Sequence, residues 1–216
     1  GDGASSLAAW LPRELEIAVR RSSVRYLDPA RGVDWLFEDV ALDLGRDSGT
    51  FALDARASPP AAVASQLDVA VQADFRRGGW RVFGRAEQAD LAAIGAALPD
   101  LSGWPRRGDG DFSIWLEWRD GTLLRAQLDA RLADVEWADA RGARYDRAAL
   151  AAEWTRTDAG WRLALNDIEI ERGGRTWPDD ADLVLDVAAG TGGASEISVR
   201  SSFVRIDDLA PVIGAG

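Results

Sequence analysis

The side chains able to do chemistry in this sequence are carboxylates, hydroxyls and arginines, because the chain contains no His, Cys, Met or Lys. Without imidazole or thiolate there is no Ser-His-Asp or Cys-His pair, no zinc site with nitrogen or sulfur ligands and no disulfide. Glu117 with Asp120, or Glu136 with Asp139, would suit a glycosidase, which needs two carboxyls about 5 to 10 Å apart across a cleft. Spacing along the chain does not establish that distance. We therefore assign no catalytic residue and predict that the chain is not an enzyme, with a carboxylate glycosidase as the one enzymatic alternative.

Two further motifs resemble binding loops but lack the features those loops require. Asp179, Asp180 and Asp182 lack the alternating ligands and the glycine of a calcium-binding EF-hand loop, so they are typical of a solvated turn. The glycine-rich stretch 190–193 has no following Lys and no strand-helix-strand setting, which indicates a turn and not a phosphate loop. We predict neither a metal site nor a cofactor.

Charge and hydropathy narrow the range of partners. The 216 residues carry a formal net charge of −11, and the paired arginines at 20–21, 76–77 and 106–107 are isolated, which argues against binding to nucleic acid. No apolar run approaches the roughly 20 residues that span a bilayer, so any anchor or export signal is expected outside this sequence. The absence of cysteine is compatible with any compartment.

Apolar and polar residues alternate along most of the chain, and this period of two predicts β-strands with one apolar and one wet face. The clearest case is an alternating run over 112–118, a turn at Asp120-Gly121 and a second alternating run over 124–132. Asp-Gly between two such runs predicts a tight antiparallel hairpin, because its turn requires positive φ at both central residues. Within each alternating run the apolar residues fall at either odd or even positions, which we call the parity of the strand. This parity changes near Ala133-Asp134 and near Asn166-Asp167, which predicts β-bulges there. Bulges bend sheets, so the predicted fold is a long curved antiparallel sheet, either a groove or a partly closed barrel, with its apolar residues on the concave side.

A short motif occurs twice and predicts the few helices. Asp90-Leu-Ala and Asp208-Leu-Ala each follow a strand pattern, and each Asp can cap the first turn of a helix. We therefore predict a strand block over 1–100 with a short helix near 90–98, a loop over 101–111, and a second strand block over 112–216 that ends as another short helix begins. Residues 146–152 are also compatible with a helical turn. A strand block closed by a helix and then begun again is typical of an array, so we expect one elongated module cut from a longer protein.

Several aromatic-rich stretches carry a resemblance to a known family. The sequences at 110–121 (GDFSIWLEWRDG), 153–156 (EWTR), 160–165 (GWRLAL) and 176–178 (TWP) resemble the large AsmA-like envelope proteins of the YhdP family, as do the two Asp-Leu-Ala helices. The resemblance implies a Gram-negative protein anchored in the inner membrane, with a long β-groove across the periplasm that is associated with phospholipid movement to the outer membrane. It also implies that membrane contact is made through regions outside this sequence. No envelope protein partner is identified.

The function expected from these observations is non-catalytic binding of phospholipid acyl chains along an apolar β-groove. The alternative is a structural or carbohydrate-binding β-sandwich, in which the same apolar residues would line a closed core. Trp115 has the opposite parity to its apolar neighbours and is a candidate for a rim or partner contact. The candidate acyl-chain contacts are Leu67, Val69, Val71, Phe75, Phe112, Ile114, Leu116, Trp118, Leu124, Leu128, Leu132, Trp161, Leu163 and Leu165.

Overall fold

A computed structural model describes residues 12, 14–97, 104–137, 144–190 and 195–208. Within them the chain forms twelve strands, one α-helix, and a helical turn at 206–208. The helix α1 spans Leu91–Ala97. The strands are β1 (Leu15–Asp28), β2 (Val33–Asp47), β3 (Thr50–Ser58), β4 (Gln66–Asp74), β5 (Gly79–Asp90), β6 (Pro105–Arg119), β7 (Thr122–Trp137), β8 (Arg144–Arg156), β9 (Gly160–Arg172), β10 (Arg175–Thr176), β11 (Leu183–Ala189) and β12 (Ser195–Ser201).

All twelve strands belong to one antiparallel sheet. Its spatial order follows the chain from β1 to β9 and continues through β11 to β12, while the two-residue β10 pairs with β9. The first and last strands are not paired with each other, so the described sheet is open. Eleven strands in sequence, spaced about 4.8 Å apart, extend it by about 48 Å. The prediction of a mainly β, long antiparallel sheet with short helices is confirmed.

The predicted hairpin and bulges are present. Asp120 and Gly121 have φ of 51° and 74°, the positive values that a tight primed turn requires. Asp134 and Asp167 also have positive φ, 51° and 52°, and the pairing registers shift beside them. Further shifts accompany positive φ at Arg21, Asp39 and Gln88. These bulges recur from strand to strand and bend the long strands near the same end.

Two secondary-structure predictions are wrong. Residues 105–111, predicted as loop, form the first half of β6, because Gly108 and Gly110 adopt φ of 132° and 152° and let an irregular strand lie closely against β7. Residues 146–152, considered as a helical turn, lie inside β8. Their alanines pair with β7 and β9 on both sides, and these non-local hydrogen bonds override the helical propensity of alanine. The division into strand blocks stays a prediction, and residues 98–103 and 209–216, where parts of the predicted helices and loop fall, lie outside the described residues.

Buried side chains gather at one end of the strands, which we call the covered end. There α1 and the segments 59–65 and 177–181 lie on the sheet and contribute to two small clusters, and strand residues alone form a third. One packs Ile94 of α1 on Ala86 and Ala89; another packs Val135 on Tyr145. At the opposite end, the open end, the strands are joined by short hairpins such as Ser48-Gly49 and Asp120-Gly121. The core of this fold is therefore local, and it does not extend along the whole sheet.

Candidate functional site: an open apolar sheet face

The strand registers place the apolar side chains on one side of the sheet, which we call the apolar face. Across the middle, Val71 pairs with Val82, Val82 with Leu116, and Leu116 with Ala126. Farther along, Trp154 pairs with Leu163 and Leu163 with Leu185. Paired residues in antiparallel strands point to the same side, so the face is continuous from β1 to β12. Members outside the predicted set include Ile17, Leu44, Leu53, Val82, Leu185, Ile197 and Val199.

Twelve of the fourteen candidate contacts lie on this face by register. The other two are Phe75, which follows β4, and Leu124, which sits at a bulge between β6 and β7. Phe75 still touches the face, because its ring lies 6.4 Å from Phe51 and 5.6 Å from Trp80. The structure thus brings most of the predicted residues together, although no ligand marks them as a binding site.

The exposure of these residues separates the apolar face from an ordinary protein core. None of the fourteen is buried: thirteen are half-buried, and Val69 is 41% exposed. Exposure rises toward the sheet edges, where Ile197 is 64% and Val199 60% exposed. All described strands lie in one sheet, so the described residues contain no second sheet to cover this face. Contiguous exposed apolar surface of this kind is typical of interaction sites.

Four of the candidate contacts pack against the buried clusters of the covered end. Leu67 and Phe112 pack against the cluster under α1, Leu132 packs against Val135 and Tyr145, and Leu165 packs against Ile168 and Trp177. The remaining ten lie toward the open end. The accessible part of the apolar face is therefore shorter than the strands, and it ends at the covered end.

A buried carboxylate ties the last described residues to the covered end. Asp208 is 1% exposed; its Oδ2 accepts a hydrogen bond of 2.9 Å from Trp177 Nε1, and its Oδ1 lies 3.4 Å from Arg172 Nη1. Arg205 and Arg175 approach it at 3.4 and 3.9 Å, and Tyr145 donates its hydroxyl to the Asp208 carbonyl. Burial alone would raise the pKa of Asp208, but the Trp177 hydrogen bond and the arginines together lower it. Sequence analysis predicted that Asp208 caps a helix, but the helical turn begins at Ile206, and the carboxylate of Asp208 is held by this cage instead. Of the three arginines, only Arg205 is close to Asp208 in sequence.

The other side, the polar face, carries charged side chains joined by cross-strand ion pairs. Examples are Arg56 with Asp68 at 2.6 Å and Arg125 with Glu153 at 2.7 Å. Exposed pairs like these contribute at most about 1 kcal/mol each. They keep this face solvated and distinguish it from the apolar face.

A cavity of about 1210 Å³ lies at the open end of strands β1 to β6 and is lined from both faces. Leu44, Phe51, Trp80 and Trp118 contribute from the apolar face. Arg46, which pairs with Phe51, places its guanidinium 5.6 Å from the Phe75 ring centre. A cation is thus placed beside apolar rings at the open end.

The structure bears on two of the carboxylate alternatives, the Glu136–Asp139 pair and the aspartates at 179–182. Arg106 hydrogen-bonds to Glu136 and lowers the pKa of that carboxyl, whereas a general acid needs a raised one. Asp139 lies outside the described residues. Asp182 accepts a hydrogen bond of 2.8 Å from the Ser202 backbone, so it anchors a turn. Among the residues with described positions, no group of three or more acidic side chains is arranged to hold a metal ion.

Comparison with known proteins identifies one family. The family model described as "YhdP protein" matches residues 1–215, nearly the whole chain. This family comprises AsmA-like envelope proteins and is not a known family of enzymes, so the resemblance drawn from the sequence is confirmed. No curated protein and no solved structure matched the chain. Within the described parts of the chain, no helix is long and apolar enough to cross a membrane.

Proposed function

The chain belongs to the YhdP protein family, and on that premise we propose that its apolar face binds phospholipid acyl chains as one section of a lipid-conducting surface in the cell envelope. The single observation that carries the proposal is a continuous apolar face, half-exposed, on a sheet with no second sheet among its described strands. A folded protein that leaves so much apolar surface in contact with water needs an apolar occupant to cover it.

The chemistry of the face suits movement along it as well as binding. Each methylene withdrawn from water contributes about 0.8 kcal/mol, and aliphatic side chains offer nearly the same contact at each position. A tail would therefore be held without a preferred register. Polar groups that fix an orientation, which are typical of sites for a single small ligand, do not line the middle of this face.

Head groups would remain in solvent at the border of the face. The open end supplies cations there: Arg46 lies over Phe75, and Arg77 lines the same cavity. A phosphate near a guanidinium gains charge-assisted hydrogen bonds while its tails stay on the apolar side chains. In this proposal the segment lies in the periplasm, and contact with either membrane is made by regions outside these 216 residues.

Lipid analysis of the purified protein tests the proposal. The chain is isolated from bacterial envelopes in a mild detergent, transferred to volatile buffer and examined by native mass spectrometry, and its organic extract is analysed for phospholipid. We expect phospholipid adducts that exchange with added isotope-labelled phospholipid. A protein that carries no phospholipid and acquires none from labelled vesicles would contradict the proposal and favour a purely structural β-domain.

A further inference from the structure

A pair of aromatic rings lies on the polar face, where the apolar face does not account for it. Phe83 on β5 and Trp115 on β6 are register partners, with ring centres 5.0 Å apart and planes inclined by 41°. Trp115 is 40% exposed. The segments that form the covered end pack on the opposite side of the sheet, so they do not cover this pair, in which Phe83 is half-buried.

The ring pair borders a cavity of about 290 Å³ on the polar face. Gln72, Arg81, Glu117, Arg125 and Gln127 form the polar part of its lining, and Ala70, Val82 and Leu116 form the rest. This volume lies near the lower limit of small-molecule sites, which is appropriate for one ring of a ligand with its neighbours in solvent.

The polar groups around the rings differ in whether they already have partners. Arg125 pairs with Glu153 at 2.7 Å, and Gln127 donates to the same carboxylate at 3.1 Å, so these two form a fixed wall. Arg81 and Glu117 make no side-chain hydrogen bond or ion pair with any residue that the structure describes. They are register partners on the polar face, and Glu117 also lies opposite Arg125, so a ligand beside the rings would meet both a donor and an acceptor.

We propose that Phe83 and Trp115 form a stacking platform for a pyranose ring, with Arg81 and Glu117 hydrogen-bonding its hydroxyls. One face of a sugar ring consists of C–H groups. Their slightly positive hydrogens are attracted to the negative π-face of an indole ring. Each hydroxyl both donates and accepts, so it can use a guanidinium and a carboxylate together. An acyl chain offers neither group a hydrogen bond, which separates this site from the apolar face. The segment would then bind a saccharide on the polar face and acyl chains on the apolar face, with Arg81 and Glu117 also lining the open-end cavity.

Calorimetric titration of the purified chain with chitotriose, cellotriose and maltotriose tests the site. We expect at least one of them to bind, and Trp115→Ala to weaken that binding by about tenfold or more. Arg81→Ala and Glu117→Gln leave both rings in place and should each weaken it as well. Circular dichroism and thermal unfolding of each variant report whether it still folds.

Tyr26→Ala is the matched control, because Tyr26 is 43% exposed and forms a cross-strand aromatic pair with Trp35 far from the cavity. It should leave saccharide binding unchanged. The proposal is overturned if none of the three sugars binds at about 10 mM, if Trp115→Ala binds as the unmodified chain does, or if Tyr26→Ala weakens binding equally. Since lipid loading is measured separately, failure here leaves the proposed lipid function standing.

Discussion

Leu128→Arg separates an open lipid-binding face from a closed core. Leu128 lies on β7 between Ile114 of β6 and Ala152 of β8, and it is half-buried. Full burial of a leucine contributes about 1.5–3 kcal/mol, so half of that is at stake. An arginine can keep its aliphatic stem on the sheet and extend its guanidinium into water. We therefore expect the free energy of unfolding to fall by only about 1 kcal/mol.

The expected effect on lipid is much larger. A guanidinium in the middle of the face interrupts the contact of an acyl chain with its neighbours. Loss of about four methylene contacts would remove about 3 kcal/mol, which corresponds to a weakening of more than about 100-fold. Binding of a fluorescent fatty acid and the phospholipid content of the purified protein measure this loss, while urea unfolding measures stability.

Two control variants define the limits of that experiment. Val135→Arg places the same charge on the same strand at a residue that is 0% exposed, where an unpaired buried charge should cost about 3–5 kcal/mol. Ser113→Arg places it on the polar face of β6, beside Ile114, and should change stability by less than about 0.5 kcal/mol. If Leu128→Arg unfolds the protein as Val135→Arg does, the face is a closed core. If it folds and binds lipid normally, the tails do not lie there.

Three further variants test the covered end and the sheet. Asp208→Asn should destabilise the protein by about 1–2 kcal/mol near pH 7, because the partly exposed Arg172 and Arg205 lose the charge of the buried carboxylate that they share, whereas exposed Asp207→Asn should not. Since the folded pKa of Asp208 is depressed, its contribution is present above the unfolded pKa of about 3.9 and is lost as the pH falls through the folded pKa; urea unfolding between pH 7 and 3 should show a shallower loss in Asp208→Asn. Asp90→Ala should cost about 1 kcal/mol, because Asp90 Oδ1 accepts a hydrogen bond of 2.9 Å from the first turn of α1; an unchanged unfolding midpoint would refute that cap. Gly110→Ala should disrupt the β6–β7 pairing, because an added Cβ would lie 2.1 Å from the Arg131 carbonyl oxygen, and faster hydrogen exchange on β7 would report this. Gly45, also in a strand, has open space around it, so Gly45→Ala should be tolerated.

Much of the sheet was predictable because each strand shows its own period of two. Parity alone placed Trp118 and Trp161 on the apolar face and Trp115 on the other, and the registers confirm all three. The same reasoning located the bulges at Asp134 and Asp167, since a bulge is the simplest way to keep apolar residues on one side after a change of parity.

What escaped prediction depends on contacts between residues that are distant in sequence. The alanines of 146–152 have a local preference for helix, and only their position between β7 and β9 makes them a strand. The cage around Asp208 joins residues from β9, β10 and the 177–181 segment, and no local pattern indicates it. The Phe83–Trp115 pair had a partial signal, because both residues break the parity of their strands, but only the register shows that they are partners.

Photo-crosslinking along β6 tests the central claim most directly. A photoreactive phenylalanine is placed singly at positions 113, 114, 116 and 117 of the chain produced in bacterial cells, and the crosslinked products are examined for phospholipid. The account predicts phospholipid adducts at 114 and 116, which lie on the apolar face, and none at 113 and 117 on the polar face. Equal adducts at all four positions, or none at any of them, would contradict it.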